Sequence, residues 1–273
     1  MDDAVRLLQN WGLEVVIGDT LNASYHQFAG NDDLRARDMQ RFIDDDSIKA
    51  IFAARGGYGT VRIIDKVDFS RLEQSPKWII GFSDITVLHT HLHTLYGLQT
   101  IHGQMPVNIP DATTASLKTL KKALFGDEVF YHFKSHSINR AGEARGQVIG
   151  GNLSILLSVL GSVSDMDYAG KILFLEDVGE YLYSVDRMLY ALKRAGKLNN
   201  LAGLIVGGFT EMKDNDIPFG QTVAEIVMNV VSEHNYPVCF DFPAGHIADN
   251  HAIIFGRELH MNVSEHEVTA SYT

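Results

Sequence analysis

The sequence predicts an α/β protein in which a parallel sheet, covered by helices on both faces, is followed by a second domain. Short apolar segments alternate with segments of helical spacing through the first half of the chain, which is typical of a parallel sheet. At 273 residues the chain is long enough to bury a substantial core, as one large domain or two smaller ones. The alternation breaks at about residues 127–146, where residues 129–133 could form a short strand and residues 137–146 are polar and irregular; we interpret this stretch as the crossing between domains.

Runs of apolar and β-branched residues predict the strands, and apolar residues three or four positions apart predict the helices. The first half contains predicted strands at 13–17, 48–54 and from Trp78, and predicted helices at 4–11, 34–43, 60–66 and up to Tyr96. The second half contains predicted strands at 147–149, 171–175, 204–206 and 237–242, helices at 152–160, 185–195 and 222–234, and two antiparallel strands around Asn262 within 253–271. We expect an N-terminal domain at 1–128, a linker at 129–146 and a C-terminal domain at 147–273. Because the chain opens on a helix, we expect the first strand of the N-terminal sheet to be missing.

The composition predicts a cytoplasmic globular protein without nucleic-acid or membrane partners. The hydrophobic content of 45% is ordinary, and a formal net charge of −11 with scattered Lys and Arg disfavours a phosphate-binding surface. The single cysteine, Cys239, excludes an intrachain disulfide, and its apolar surroundings in the sequence predict a buried, inert thiol. No apolar stretch reaches the roughly 20 residues of a membrane helix, and the first residues do not resemble a signal peptide.

The most informative stretch surrounds Ser83. An apolar strand from Trp78 runs into a turn of small residues that presents this serine, and an amphipathic segment follows at once. Such an elbow lifts a side chain out of the sheet and leaves the next backbone N–H groups free to face an oxyanion. The match is partial, because Ile85 stands where Gly-x-Ser-x-Gly has its second glycine. The alternative for Ser83 is a helix cap.

Further polar groups follow two other predicted strands, at the sheet edge where ligands gather in open α/β proteins. Glu176 and Asp177 follow the strand at 171–175, and His246 follows the strand at 237–242. A serine, an imidazole and a carboxylate are the groups that nucleophilic acyl transfer requires. The alternatives are a helix cap or an ion pair for the carboxylates and an ordinary loop position for the histidine.

A glycine-rich segment, Arg55-Gly56-Gly57-Tyr58-Gly59, follows another strand. It lacks the Gly-x-Gly-x-x-Gly and Gly-Lys-Ser/Thr patterns of nucleotide-binding loops. We interpret Gly56 and Gly57 as positions where the backbone comes close to a substrate and lends an N–H to an oxyanion hole. His89 and His93 lie one helical turn apart, but an apolar helix face and the lack of a zincin glutamate favour packing over a metal site. No cofactor and no metal are predicted.

Seven short motifs are spread over nearly the whole chain: Ala54-Arg55-Gly56-Gly57-Tyr58-Gly59, Pro76-Lys77, Gly81-Phe82-Ser83-Asp84-Ile85-Thr86, Thr100-Ile101-His102-Gly103, Gly150-Gly151-Asn152-Leu153, Phe174-Leu175-Glu176-Asp177 and Gly245-His246. In this order they resemble the LD-carboxypeptidase family of serine peptidases, which includes murein tetrapeptide carboxypeptidases and microcin C immunity peptidases. The resemblance implies an N-terminal Rossmann-like domain that supplies the nucleophile, Ser83. It implies a C-terminal domain with its own sheet that supplies Glu176 and His246, so that the active site lies in the interdomain cleft. The backbone N–H groups of Gly57 and Asp84 are the implied oxyanion donors.

The resemblance also implies a cofactor-free enzyme, generally a homodimer, that acts on short peptides with a free carboxyl end. The candidate substrate contacts within the motifs are Arg55, Gly56, Tyr58, His102 and Asn152. We expect an L,D-carboxypeptidase that releases D-alanine from murein tetrapeptide in the cytoplasm during cell-wall recycling. One alternative is a microcin C-type immunity peptidase, which we disfavour because the loop at 209–220 offers no obvious aromatic platform. Another is a non-catalytic peptide-binding module. Family members usually carry an initial strand and a Pro-Ser turn that this sequence lacks.

Overall fold

The computed structural model describes residues 1–273. Its strands are β1 (Ala50–Phe52), β2 (Trp78–Gly81), β3 (Thr100–His102), β4 (Phe130–Lys134), β5 (Gly142–Asn152), β6 (Ile172–Val178), β7 (Gly203–Thr210), β8 (Val238–Cys239), β9 (Ile253–Phe255), β10 (Glu258–Val263) and β11 (Glu267–Tyr272). Its α-helices are α1 (Asp2–Asn10), α2 (Asp32–Asp44), α3 (Arg71–Gln74), α4 (Thr86–Tyr96), α5 (Thr114–Phe125), α6 (Leu153–Val159), α7 (Leu182–Arg194) and α8 (Val223–Val230). Short 3₁₀ helices lie at Asp19–Asn22, Thr60–Arg62, Ile64–Lys66, Ser83–Ile85 and Pro106–Asp111. None of these helices combines the length and the apolar character that a membrane span requires.

The strands form two sheets, which confirms the predicted α/β class. The N-terminal sheet has the order β1-β2-β3-β9, in which the first three strands are parallel and β9 is antiparallel to β3. The C-terminal sheet has the order β4-β11-β10-β5-β6-β7-β8, in which β5 to β8 are parallel and β4, β11, β10 and β5 pair antiparallel. Both sheets therefore present the carboxyl ends of parallel strands, where the predicted site residues lie.

The largest cluster of buried apolar residues contains side chains from both sheets. Its 23 buried residues include Ile80 and Ile101 from the N-terminal sheet and Phe174 and Ile205 from the C-terminal sheet. Strand β9 comes from the C-terminal part of the chain but completes the N-terminal sheet beside β3. Residues of both predicted domains thus belong to this one apolar cluster, which joins the two sheets.

The predicted linker at 129–146 differs from the structure. Strand β4 and the start of β5 lie in this segment, and β4 pairs with β11 at the edge of the C-terminal sheet. In β4 a buried Tyr131 alternates with an exposed Phe130 and His132. The possible short strand at 129–133 therefore forms as β4, an edge strand with one buried face, whereas the polar stretch at 137–146 contains the start of β5.

The predicted strand at 13–17 does not form. Val16 and Ile17 are 51% and 45% exposed, and residues 14–17 make no backbone hydrogen bond with a neighbouring strand. An apolar, β-branched segment becomes a strand only where a neighbour offers backbone partners. Strand β1, at the edge of the N-terminal sheet, pairs only with β2.

Candidate active site

The candidate nucleophile lies at a tight turn between a strand and a helix. Ser83 follows β2 by two residues and opens the 3₁₀ helix Ser83–Ile85, which leads directly into α4. Its backbone φ is +65°, a left-handed conformation that strains a residue with a side chain. This is the geometry of a nucleophile elbow, and it forms even though Ile85 replaces the second glycine of the usual motif.

The glycine-rich loop after β1 packs directly against this serine. A β-carbon on Gly56 would lie 2.9 Å from the Ser83 Cβ and 3.2 Å from its Oγ, so only glycine permits this approach. The N–H of the next residue, Gly57, donates to no backbone carbonyl. Asp84 anchors the loop, because its Oδ2 accepts hydrogen bonds from the Thr60 N–H at 2.8 Å and the Thr60 Oγ1 at 2.7 Å. The Gly57 N–H and the N–H groups at the start of the 3₁₀ helix are thus the candidate oxyanion donors.

A carboxylate and an imidazole meet at the carboxyl ends of the parallel strands in the C-terminal sheet. The Oε2 of Glu176, a fully buried side chain in β6, lies 2.5 Å from the Nδ1 of His246. Burial favours the neutral ring, but the hydrogen bond and negative charge of Glu176 outweigh it, so the pKa of His246 is raised above its usual value. Because Nδ1 bonds to the carboxylate, Nε2 is the nitrogen left to act as a base.

The two halves of the site come together through Phe82, the residue before Ser83. Its ring packs edge-on against the His246 ring with centroids 4.9 Å apart. The Glu176 contact is the ring's one side-chain hydrogen bond, and none joins it to the Ser83 Oγ. Hydrogen bonds of this kind are often long without substrate and tighten when it binds. A serine from one sheet thus neighbours a histidine–carboxylate pair from the other, which suits acyl transfer.

Comparisons with known proteins identify the family. The sequence profile of the LD-carboxypeptidase N-terminal domain matches residues 1–103, and that of the LD-carboxypeptidase C-terminal domain matches residues 145–261. The chain belongs to the LD-carboxypeptidase family. The predicted family and the predicted enzyme class, a serine-type carboxypeptidase, are therefore confirmed, and the binding-module alternative loses its support.

The individual relatives of this LD-carboxypeptidase cover nearly its whole length. A Bacillus subtilis protein described as a probable murein peptide carboxypeptidase is 34% identical over 97% of this chain and 85% of its own. The murein tetrapeptide carboxypeptidase of Pseudomonas aeruginosa is 30% identical over 94% of this chain and 86% of its own. The crystal structure of muramoyltetrapeptide carboxypeptidase from Oxalobacter formigenes superposes with a TM-score of 0.89 at 28% identity, covering 99% of this chain and 93% of that one. The microcin C7 self-immunity protein MccF superposes with a TM-score of 0.86 at 21% identity, over 97% and 88%, which shows a shared fold.

Two of the candidate substrate contacts of this LD-carboxypeptidase are exposed side chains, and two are buried. Arg55 and Tyr58 are exposed on the glycine-rich loop, as a substrate contact requires. His102 is fully buried and donates from Nε2 to the Asn250 Oδ1 at 3.1 Å. Asn152 is 3% exposed. The burial of these two side chains favours roles in positioning the site over contact with substrate.

Asn152 connects the end of β5 to the start of α6. Its Oδ1 accepts from the Ile155 N–H at the start of that helix, and its Nδ2 donates to Asp177 at 2.9 Å. Burial raises the pKa of Asp177 to about 6, against hydrogen bonds from the Val178 N–H and Asn152 that lower it. Asn152 also pairs in register with Glu176 across β5 and β6, so this network borders the carboxylate that bonds His246.

The remaining polar candidates are used in packing. Both ring nitrogens of His89 are hydrogen-bonded within the protein, to the Thr100 Oγ1 at 2.8 Å and to the Gly81 carbonyl at 2.9 Å. Cys239 is fully buried, and burial raises the pKa of its thiol, which fits the predicted inert side chain. Asn250 and Thr60 contact the site but were not predicted, because neither lies in a motif or directly follows a strand.

Proposed function

We propose that this LD-carboxypeptidase hydrolyses the bond to a C-terminal D-amino acid and releases D-alanine from murein tetrapeptide. The observation that carries the proposal is the buried hydrogen bond between Glu176 and His246, beside a serine held in a strained elbow. The names of the Pseudomonas aeruginosa and Oxalobacter formigenes relatives support this substrate class. Cell-wall recycling in the cytoplasm is the corresponding physiological setting that we propose.

The proposed mechanism is acyl transfer through a covalent intermediate. The Ser83 Oγ attacks the carbonyl carbon before the terminal residue while His246 Nε2 takes the hydroxyl proton, and Glu176 stabilises the imidazolium. The N–H groups of Gly57 and Asp84 hold the resulting oxyanion, each donor being worth about 3 kcal/mol of barrier. When the C–N bond breaks, His246 returns the proton to the departing amine. Water, deprotonated by the same ring, then attacks the ester carbon. The bond from that carbon to the Ser83 Oγ breaks, the ring returns the proton to the serine oxygen, and the shortened peptide leaves as a carboxylate.

Arg55 is the proposed anchor for the free carboxylate that defines a carboxypeptidase substrate. Arg62 and Lys66 form ion pairs with Asp32 and Asp33, whereas Arg55 has no carboxylate within ion-pair distance. It precedes Gly56, which touches Ser83. A planar guanidinium can bind a carboxylate through two parallel hydrogen bonds, so Arg55→Lys is expected to raise KM for the tetrapeptide.

Mass spectrometry of L-Ala-γ-D-Glu-meso-diaminopimelyl-D-Ala after incubation with the protein tests the proposal. We expect loss of one D-alanine and accumulation of the tripeptide. Ser83→Ala is expected to lower kcat by about four to six orders of magnitude while the circular dichroism spectrum stays unchanged. Intact tetrapeptide after prolonged incubation, or wild-type turnover by the Ser83→Ala variant, would refute the assignment. Labelling by a serine-reactive phosphonate, lost in the same variant, would identify the nucleophile independently.

A peptidyl-nucleotide antibiotic is the alternative substrate, and one structural feature favours testing it. Tyr181 and Tyr183 are 39% and 42% exposed, their rings lie 5.6 Å apart, and the Lys213 Nζ lies 5.9 Å from the Tyr181 ring. This aromatic surface follows β6 and lies beside Lys213 in the loop at 209–220, a loop whose own sequence offers no obvious aromatic platform. Hydrolysis of glutamyl-sulfamoyl adenosine in parallel with the tetrapeptide decides which substrate has the higher kcat/KM.

The assembly state is part of the proposal. A homodimer is implied by the family resemblance, and light scattering coupled to size-exclusion chromatography measures it directly. For a chain of 30.3 kDa, a mass twice that value is the expected result.

A further inference from the structure

Two fully buried polar side chains lie behind the loop that carries His246. The Oδ1 of Asn250 accepts a hydrogen bond from the Gly245 N–H at 2.8 Å and another from the His102 Nε2 at 3.1 Å. Both side chains are 0% exposed. His102 lies in β3, and Gly245 immediately precedes His246. The Asn250 carboxamide therefore joins the N-terminal sheet to the backbone beside the catalytic imidazole.

The same histidine supports the imidazole from a second direction. The His102 ring lies 5.5 Å from the Phe82 ring, and the Phe82 ring lies 4.9 Å from the His246 ring. On its other side Gly245 packs against Glu176, since a β-carbon there would lie 2.9 Å from the Glu176 Cβ. The residue before His246 is thus held between the carboxamide and the carboxylate that the imidazole bonds.

The hydrogen bonds of the pair have a fixed direction. A backbone N–H is always a donor, so the oxygen of Asn250 must face Gly245, and His102 must then carry its proton on Nε2. Burial, with the nearby His89, lowers the pKa of His102 to about 3, so the ring is neutral wherever the enzyme works. Neither residue reaches the surface, so neither can touch a substrate.

We propose that Asn250 and His102 are positioning residues that hold the Gly245–His246 backbone so that the imidazole stays on Glu176 and faces Ser83. This inference rests on the catalytic role proposed for His246. Removing the carboxamide leaves two buried donors without an acceptor, and the loop must shift to satisfy them. A misplacement of about 1 Å at a reacting group can cost about a hundredfold in rate.

Variants of Asn250 and His102 distinguish a role in positioning the imidazole from a role in the stability of the fold. Asn250→Ala is expected to lower kcat by about 10- to 100-fold with KM within about twofold of wild type. If Asn250→Ala fails to fold, His102→Phe removes the donor but keeps the ring, and His102→Gln restores a donor.

The titration of His246 is the readout that a merely structural role would not move. The charged groups that act on this ring are Glu176, Asp177 and Glu211, and His102 beside it is neutral. The hydrogen bond to Glu176 raises the pKa of His246. A loosened loop weakens this bond and lowers that pKa, so the acid limb of kcat/KM should move to lower pH. The NMR titration of the imidazole in each variant should show the same shift without any turnover.

Tyr131→Phe is the matched control. The Tyr131 hydroxyl donates to the Ala252 carbonyl at 2.6 Å, a buried bond two residues from Asn250 that does not touch the His246 loop. This variant is expected to lower the Tm without moving the acid limb. A wild-type acid limb and wild-type NMR titration in Asn250→Ala and His102→Phe would overturn the inference. Failure of the wild type to cleave tetrapeptide would instead refute the proposed function, since the NMR titration needs no substrate.

Discussion

The Glu176 carboxylate is fully buried, and the only ionisable group to which it hydrogen-bonds is His246. Its Oε1 accepts no hydrogen bond from the protein, so the charge acts mainly on the imidazole. A neutral base is needed for the first step of acyl transfer, while the imidazolium must be stable once formed. The buried carboxylate stabilises the imidazolium. By raising the pKa of His246 it also sets the lowest pH at which the ring is still a neutral base.

Glu176→Gln should therefore change both the rate and its pH dependence. The carboxylate raises the pKa of His246, so loss of its charge lowers that pKa and moves the acid limb of kcat/KM to lower pH. We expect kcat to fall by roughly two to four orders of magnitude, because the imidazolium loses its partner. Activity measured from acid to alkaline pH checks both effects.

Glu211→Gln is the control for this prediction. Glu211 is exposed, and its charge acts on His246 only through space. We expect a smaller shift in the same direction that disappears at high salt, with kcat near wild type. An acid limb that stays in place in Glu176→Gln would contradict the proposed role of the carboxylate.

Sequence reasoning found Ser83, His246 and the carboxylates because each lies at a strand end. It could not choose between Glu176 and Asp177 without the family resemblance. The pleat of β6 makes the choice, since successive side chains point to opposite faces: one carboxylate bonds His246 and the other bonds Asn152. Which carboxylate receives the imidazole depends on a contact across 70 residues, which local patterns do not encode.

At the scale of elements, the oxyanion loop and the nucleophile elbow are separate pieces that one side chain joins. Asp84 directly follows the nucleophile, is 4% exposed, and accepts both bonds from Thr60 at the far end of the glycine-rich loop. The two proposed oxyanion donors, Gly57 and Asp84, lie on either side of this link. Their spacing therefore depends on it.

Thr60→Val should weaken this link while keeping the shape of the side chain. It removes the hydroxyl donor and leaves the backbone donor, so we expect a loss of about 1–3 kcal/mol in the free energy of unfolding. We expect kcat to fall by up to about tenfold, about 1.4 kcal/mol of barrier, with KM unchanged. Thr60→Ser keeps the hydroxyl and should retain activity. Equal kcat in the two variants would show that the link does not set the donor geometry.

The end of β5 approaches α4 more closely than a side chain would allow. Gly151 has a φ of +136°, and a β-carbon there would lie 2.4 Å from the Thr86 Oγ1, which accepts the Asn152 N–H at 3.0 Å. This contact joins the helix after Ser83 to the strand beside Glu176. It is a further point, besides Phe82 and Asn250, at which the two sheets fix the site.

Gly151→Ala should lower the free energy of unfolding by about 2–5 kcal/mol, because backbone strain and a close contact add together. Activity should fall as well, since the displaced threonine follows the nucleophile. Gly161→Ala is the matched control: its φ is +77° with open space around the β-carbon, so only the strain of about 1–2 kcal/mol applies. Chemical denaturation and kcat/KM measure both variants, and equal effects would contradict the proposed close contact.

Periodic elements were predictable and their partners were not. Segments with clear helical spacing, such as 4–11 and 34–43, became α1 and α2. The segment at 13–17 has the composition of a strand but no neighbour to pair with. Strand β9 was predicted only as part of an antiparallel tail, because its pairing with β3 joins residues about 150 positions apart.

At the scale of the molecule, β9 makes the two sheets interdependent. The chain leaves the N-terminal sheet after β3, builds most of the C-terminal sheet, and returns to pair β9 with β3 before β10 and β11. Buried residues of both sheets belong to one core cluster, on which Trp11 and Trp78 also pack. A site whose nucleophile and base lie on different sheets needs this fixed relation between them.

Unfolding should therefore be a single cooperative transition. Both tryptophans lie in the N-terminal half, so their fluorescence reports that sheet, while far-ultraviolet circular dichroism reports both, and we expect the two denaturation curves to coincide. Ile254→Ala in β9 should lower the free energy of unfolding by about 2–5 kcal/mol by both probes, because the side chain is 1% exposed against Ile101. Asn262→Ala, at an exposed position of β10, should change it by less than about 0.5 kcal/mol. Two separated transitions, or a loss confined to the fluorescence curve, would mean that the sheets unfold independently and that the shared core does not hold the site together.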